Sequence, residues 1–161
     1  MRTLPLIGTL TQDLDIPEWW ESTPVPVPYF SGAPVPFIIE EEWQGSSYPP
    51  QLESAIAAFL ALGEADRIAA SDAVFANYRD SVDATGIAEP DVDDPTAIWE
   101  HLTPVEVHVR RRPLADRDFY IQIDCNCEWE KEHGLQIVYR GGTELVRVSD
   151  QDGHLTEEDA E

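Results

Sequence analysis

The sequence predicts an α+β domain: an N-terminal β-hairpin, two or three central helices, and a C-terminal antiparallel meander of about four strands. Three observations carry that expectation. Prolines punctuate the first third, which confines strands there to edges or short pieces. Apolar residues recur at helical spacing through residues 50–86. After residue 104 they alternate with polar ones, as in half-buried strands.

Each element has a local reason. "VPVPYF" and "VPFIIE" flank Ser31-Gly32-Ala33 and read as a hairpin with a three-residue loop. Trp19 and Trp20 stand together just before it. Large aromatics are buried on average, so the pair closes an edge of the core; exposed, it would mark an interface, where Trp is enriched. Pro49-Pro50 lead into a helix with Leu52, Ile56, Phe59 and Leu60 on its apolar face, stopped by Gly63. Ile68, Phe75, Tyr78 and Val82 mark the next apolar face, ended by Gly86, as one helix or as two with the second starting at Ser71. Asp94 sits where an N-cap belongs and Pro95 at the first helical position of a third, shorter helix. In "PVEVHVRRR", Val105, Val107 and Val109 face one way, and Glu106, His108 and Arg110 the other. "RPLADRD" is a turn, and the strands "FYIQIDCNCEW", "GLQIVYR" and "ELVRVS" follow, the last two joined by a two-residue turn at Gly141-Gly142. Residues 1–155 form a single domain, and residues 156–161 an acidic, fraying tail.

The chain has 32 acidic and 10 basic residues, a net charge of -22. Nucleic acid and anionic membrane are excluded as partners, because phosphate surfaces need cationic side chains. A basic protein would be steered toward such a surface. Solubility alone, or a salty cytoplasm, would also account for the charge. The start, "MRTLPLIGTLTQD", carries no secretory pattern, and no apolar run is long enough for a membrane span, which makes the cytoplasm the expected compartment.

Both cysteines lie in "IDCNCEWEKEHG". On a strand, Cys125 and Cys127 share a face with Ile121, Ile123 and Trp129, so they read as small buried hydrophobes. Positions two apart have parallel Cβ vectors, which rules against a disulfide between them. Cys127, His133 and His154 supply at most three ligands where a structural zinc site wants four. With Arg140 opposite Thr143, the hairpin count places His133 against Asp150 and gathers Glu130, Glu132, Asp150, Asp152 and His154 at one corner of the sheet. An ion-paired polar corner accounts for the same residues. "SDQDGHLTEED" lacks the first and twelfth ligands of an EF-hand loop. No phosphate loop, no nucleophile elbow and no activated thiol is present, so neither an enzyme nor a cofactor is expected. Arg110-Arg111-Arg112 is the one basic cluster, suited to an anionic ligand or to balancing an acidic face.

The pattern Cys-x-Cys-x-Trp-Glu, then Glu-His-Gly-Leu-Gln, a glycine turn, and Asp-Gly-His-Leu-Thr resembles the C-terminal part of an uncharacterised bacterial domain family of unknown function. "TPVPVPYFSGAPVPFII" and "AIWEHLTPVEVHVRRR" are similar to its earlier segments. The resemblance brings no activity and no catalytic residues. Small acidic α+β proteins of this look often serve as immunity proteins, by analogy only. The sequence-level expectation is therefore a non-enzymatic inhibitor of a basic protein, with Trp19, Trp20, Glu128, Glu130, Glu132, Asp150 and Asp152 as contact residues. The alternative is a small-ligand or metal-binding domain using the His133/His154 corner.

Overall fold

In the computed structural model, which describes residues 2–42, 47–112 and 114–161, the N-terminal segment is already sheet. Strands β1 (Arg2–Leu4), β2 (Gly8–Gln12) and β3 (Trp20–Ser22) pair antiparallel in sequence order. The hairpin expected around Ser31-Gly32-Ala33 is present in altered form. β4 (Val25–Val27) pairs with β5 (Ala33–Val35) across a five-residue loop that contains a 3-10 turn over Pro28–Phe30. Ser31 and Gly32 adopt positive φ, and Gly32 N–H donates to the Val27 carbonyl, closing the longer loop. β6 (Phe37–Ile39) then leaves this ribbon and joins the main sheet beside β3.

Three helices follow: α1 (Pro50–Leu60), α2 (Glu64–Ala69) and α3 (Ser71–Thr85). Gly63, expected to stop α1, instead opens α2, its N–H held by the Asp66 carboxylate at 2.9 Å. The break at Ala70 resets the helical phase. Ile68 is therefore 38 % exposed, and Val74 takes a place in the core beside Tyr78. Asp94 caps a 3-10 helix over Pro95–His101 by accepting from Thr96 N–H, with Pro95 at its first position.

β7 (Leu102–Arg111), β8 (Phe119–Cys127), β9 (Glu130–Arg140) and β10 (Glu144–Asp150) complete the sheet. They do not stand as a separate meander. They are half of one eight-stranded sheet, order β1-β2-β3-β6-β7-β8-β9-β10, in which only β6 and β7 run parallel. The turn expected over "RPLADRD" includes Pro113, which lies outside the described residues.

Two register details differ from expectation. Pro104 cannot donate a ladder hydrogen bond, and the β7–β8 ladder shifts between Pro104 and Glu106; Val105 is left exposed while Val107 and Val109 are buried. The β9–β10 turn has three residues, with Arg140 opposite Glu144, and the ladder shifts again between Leu145 and Arg147. Asp150 therefore opposes Leu135 and not His133. Gly142 sets this turn. Its φ is +91°, and a Cβ there would collide with the Ala55 carbonyl and stand 3.0 Å from Phe59 N, so only glycine lets the turn pass under α1.

One face of the sheet is the main core. Ile121, Ile123, Cys125, Leu135 and Ile137 pack there against Leu52, Ile56 and Phe59 of α1. Tyr29, Phe59, Trp99 and Tyr139 form an aromatic cluster, with Tyr29 and Tyr139 sharing a hydroxyl hydrogen bond of 2.9 Å. The other face carries a smaller cluster in which Leu155 packs on Tyr120 and Val138. This pins a strap of residues 151–156 across β8 and β9: Gln136 Nε2 and Arg147 Nη1 both donate to the His154 carbonyl, at 2.6 and 2.9 Å. Residues 156–161, the segment expected to fray, carry α4 (Glu157–Ala160), and Arg112 reaches Asp159 at 2.8 Å. No helix among the described residues is long and apolar enough to cross a membrane.

Candidate functional site

Neighbouring strand residues face opposite ways. Phe37 and Ile39 point into the core, so Ile38 and Glu40 face the strap side; Trp20 turns coreward and Trp19 away from it. On β7 the same rule sends Val107 and Val109 inward and Glu106, His108 and Arg110 outward. Register then completes the group. Ile38 pairs with His108, Glu106 with Asp124, and His108 with Gln122. The result is a cleft of about 370 Å³ floored by β7 and β8 with Glu40 just after β6, and lined further by Trp19 and by Gln151 and Gly153 of the strap.

His108 is the centre of the cleft and is only 5 % exposed. Its Nδ1 lies 2.6 Å from Glu40 Oε2. Its Nε2 lies 2.9 Å from Glu106 Oε1 and 3.3 Å from Asp124 Oδ2. Trp19 meets the ring edge-on, with centroids 5.5 Å apart. Burial alone would lower the affinity of the ring for its proton. The hydrogen bonds to Asp124, Glu106 and Glu40 outweigh it and raise the pKa from 6.5 to about 11. At neutral pH the ring is an imidazolium with both N–H groups engaged, so it offers no lone pair for general-base work. Around it, Gln122 Nε2 donates to Asp124 Oδ1 at 2.9 Å, and Arg110 Nη1 donates to Gln122 Oε1 at 3.0 Å.

The residues singled out from sequence are distributed differently. Glu130, Asp150 and Asp152 do come together, with Asp80 of α3, around a groove of about 440 Å³ between α3 and the β9–β10 pair. Asp152 is gripped there by both Nη atoms of Arg147, at 2.6 and 2.7 Å, which holds its carboxyl below the usual range. Asp150 accepts from Asn77 at 3.1 Å. Glu128 pairs with His101 in a neighbouring cleft beside Trp129, and Glu132 is exposed near the start of β9. Trp20 is half-buried, with the Arg2 guanidinium 4.1 Å above its ring. Trp19 belongs to the His108 cleft and not to the groove.

Cys127, His133 and His154 do not assemble as ligands. Among the described residues the one group of three with ligand atoms in mutual reach is Glu106, His108 and Asp124. His133 is exposed and lies 3.4 Å from Glu130, while the His154 backbone is tied into the strap. The three consecutive arginines balance acidic neighbours: Arg111 takes Glu41 at 2.6 Å, Arg112 takes Asp116 and Asp159, and Arg110 reaches the Gly153 carbonyl.

Both thiols are buried on the core face, as their alternation with isoleucine indicates. Burial, then the nearby Asp124 charge, pushes Cys125 far above an ordinary thiol, and burial is the main cause that raises Cys127 to about 11. Neither should react with a disulfide reagent at pH 8 in the native protein, and both should react once denatured. Rapid native labelling of either would contradict this placement.

A family model described as a domain of unknown function, DUF6985, matches residues 6–155. No curated protein and no solved structure gives a significant match.

Proposed function

We propose, for a chain that belongs to the DUF6985 family, a non-catalytic binding function: its anionic surface takes up a basic protein, as an immunity-type inhibitor does, within the cytoplasm. The observation that supports this reading is how the charge is arranged. Arg67, Arg110, Arg111, Arg112, Arg140 and Arg147 each lie against carboxylates of the chain itself. The excess of acidic groups is thereby left facing outward. Among the described residues no basic side chain lines the groove bearing Asp80, Glu130, Asp150 and Asp152, and Arg147 neutralises only Asp152, from outside that lining. Such a surface steers a cationic partner and rejects nucleic acid and anionic lipid.

The test is capture from native lysate at physiological and at high salt, with the retained protein then purified for titration. One stoichiometric basic protein, released by salt, is the expected result. The triple variant Asp80→Asn, Glu130→Gln, Asp150→Asn should weaken its binding by about tenfold or more, mainly through slower association. Retention that ignores both salt and the variant, or no retained protein at all, would sink the reading.

A further inference from the structure

We propose that Glu106, His108 and Asp124 form a binding site for one divalent transition-metal ion of the zinc class, with Glu40 and Gln122 as its supporting shell. This goes beyond the partner-binding reading and does not depend on it.

The spacing of the donors comes first. His108 Nε2 stands 2.9 Å from Glu106 Oε1 and 3.3 Å from Asp124 Oδ2, and the three ligand atoms all lie within 4.8 Å of one another. Ligands held at roughly 2.0–2.2 Å from a metal are about 3–3.5 Å apart around an octahedral or tetrahedral ion. The two distances from Nε2 match that spacing, and small side-chain rotations of the carboxylates would bring all three atoms onto one coordination sphere. They come from two adjacent, centrally placed strands, where backbone position is fixed by the ladder: Glu106 is directly opposite Asp124, and His108 follows on the same face.

The orientation of each donor is set from behind. Glu40 Oε2 holds His108 Nδ1 at 2.6 Å, which turns Nε2 toward the two carboxylates. A carboxylate behind a ligating imidazole is the usual way such a ring is aimed and made more basic. Gln122 Nε2 holds Asp124 Oδ1 at 2.9 Å, which leaves Oδ2 for the site. Gln122 is fixed in turn by Arg110. One nitrogen and two carboxylate oxygens suit zinc or a similar ion better than magnesium or calcium, which take oxygen alone. The cleft beside Gln151 and Gly153 leaves room for water to fill the remaining positions.

Charge points the same way. Glu106 and Asp124 are like charges directly opposite on neighbouring strands, and the protonated His108 ring is the cation between them that a metal ion would replace. On binding, the ion replaces the Nε2 proton, which passes to the buffer.

The experiment uses the full chain, stripped with a chelator and titrated with Zn²⁺ by calorimetry, with Co²⁺ absorption as a second probe. One ion per chain is expected. Glu106→Gln and Asp124→Asn, which keep side-chain shape, should each weaken Zn²⁺ binding at least tenfold, and Glu40→Gln by about ten- to a hundredfold. His133→Ala and His154→Ala should leave it unchanged. Circular dichroism checks that each variant is folded. If a variant does not fold, ¹⁵N resonances of the His108 ring in the unaltered chain decide: Nε2 must shift and lose its proton on addition of Zn²⁺. No stoichiometric binding, an unmoved His108 ring, or binding lost in His133→Ala and kept in Asp124→Asn would overturn the proposal.

Discussion

His108→Ala is expected to cost about 3–5 kcal/mol of stability at neutral pH, because it leaves buried carboxylates without their cation. Glu40 and Asp124 are largely shielded from water and Glu106 partly so, and among the described residues the cation left beside them is Arg110, 3.8 Å from Glu40. The pH profile should identify the cause. The ring gains proton affinity on folding, from 6.5 to about 11, so its contribution is complete below pH 6.5 and is lost as pH rises toward 11. The groups that face it are Glu40 after β6, Glu106 and Arg110 on β7, Asp124 and Gln122 on β8, and the Trp19 ring. Urea unfolding of wild type and His108→Ala, with chelator present, should therefore show a gap that is widest near pH 6 and closes toward pH 11. A gap that stays constant over that range would show that the ring is neutral in the folded protein.

Gly142→Val is expected to destabilise the fold by roughly 2–5 kcal/mol, from left-handed backbone strain together with overpacking against a neighbouring element. The added Cβ meets backbone atoms of α1, the Ala55 carbonyl and Phe59 N, and backbone cannot rotate away as a side chain can. Gly141 is the control. It also has positive φ, yet a Cβ there meets nothing within 4 Å, so Gly141→Ala should carry the conformational cost alone. Thermal melting of the two variants separates the terms. Equal losses would mean that α1 does not press on the turn.

The legible parts of this chain were those written in short-range pattern. Helical spacing marked α1, alternation marked β8 with its coreward cysteines, and Asp94-Pro95 marked the capped 3-10 helix. β1 and β2 escaped because each is brief, Pro5 follows the first directly and Gly8 opens the second. The His108 cleft was half visible. "Glu106-Val-His108-Val-Arg110" announced a polar face, but Glu40 joins it only through the parallel β6–β7 register, and Asp124 only through the shifted β7–β8 ladder. The register expected at the His133 corner differs for a related reason. A three-residue turn and one ladder shift moved Asp150 two places along β9, to Leu135. Local sequence carries periodicity well, and long-range register hardly at all.

The single parallel pairing also has a kinetic meaning. β7, β8, β9 and β10 can zip together through short connections, whereas β6 must wait for a partner that lies beyond residues 40–101. Closing that interval costs chain entropy before any contact repays it, a cost that the pairings among β7, β8, β9 and β10 do not carry. During synthesis, β3 and β6 emerge long before β7 does, so the inner edge of β6 stays unpaired until the ribosome has passed residue 111. Nascent chains are most exposed to strand-edge aggregation in that interval, and the acidic run Glu40-Glu41-Glu42 directly behind β6 is the kind of charge that discourages it.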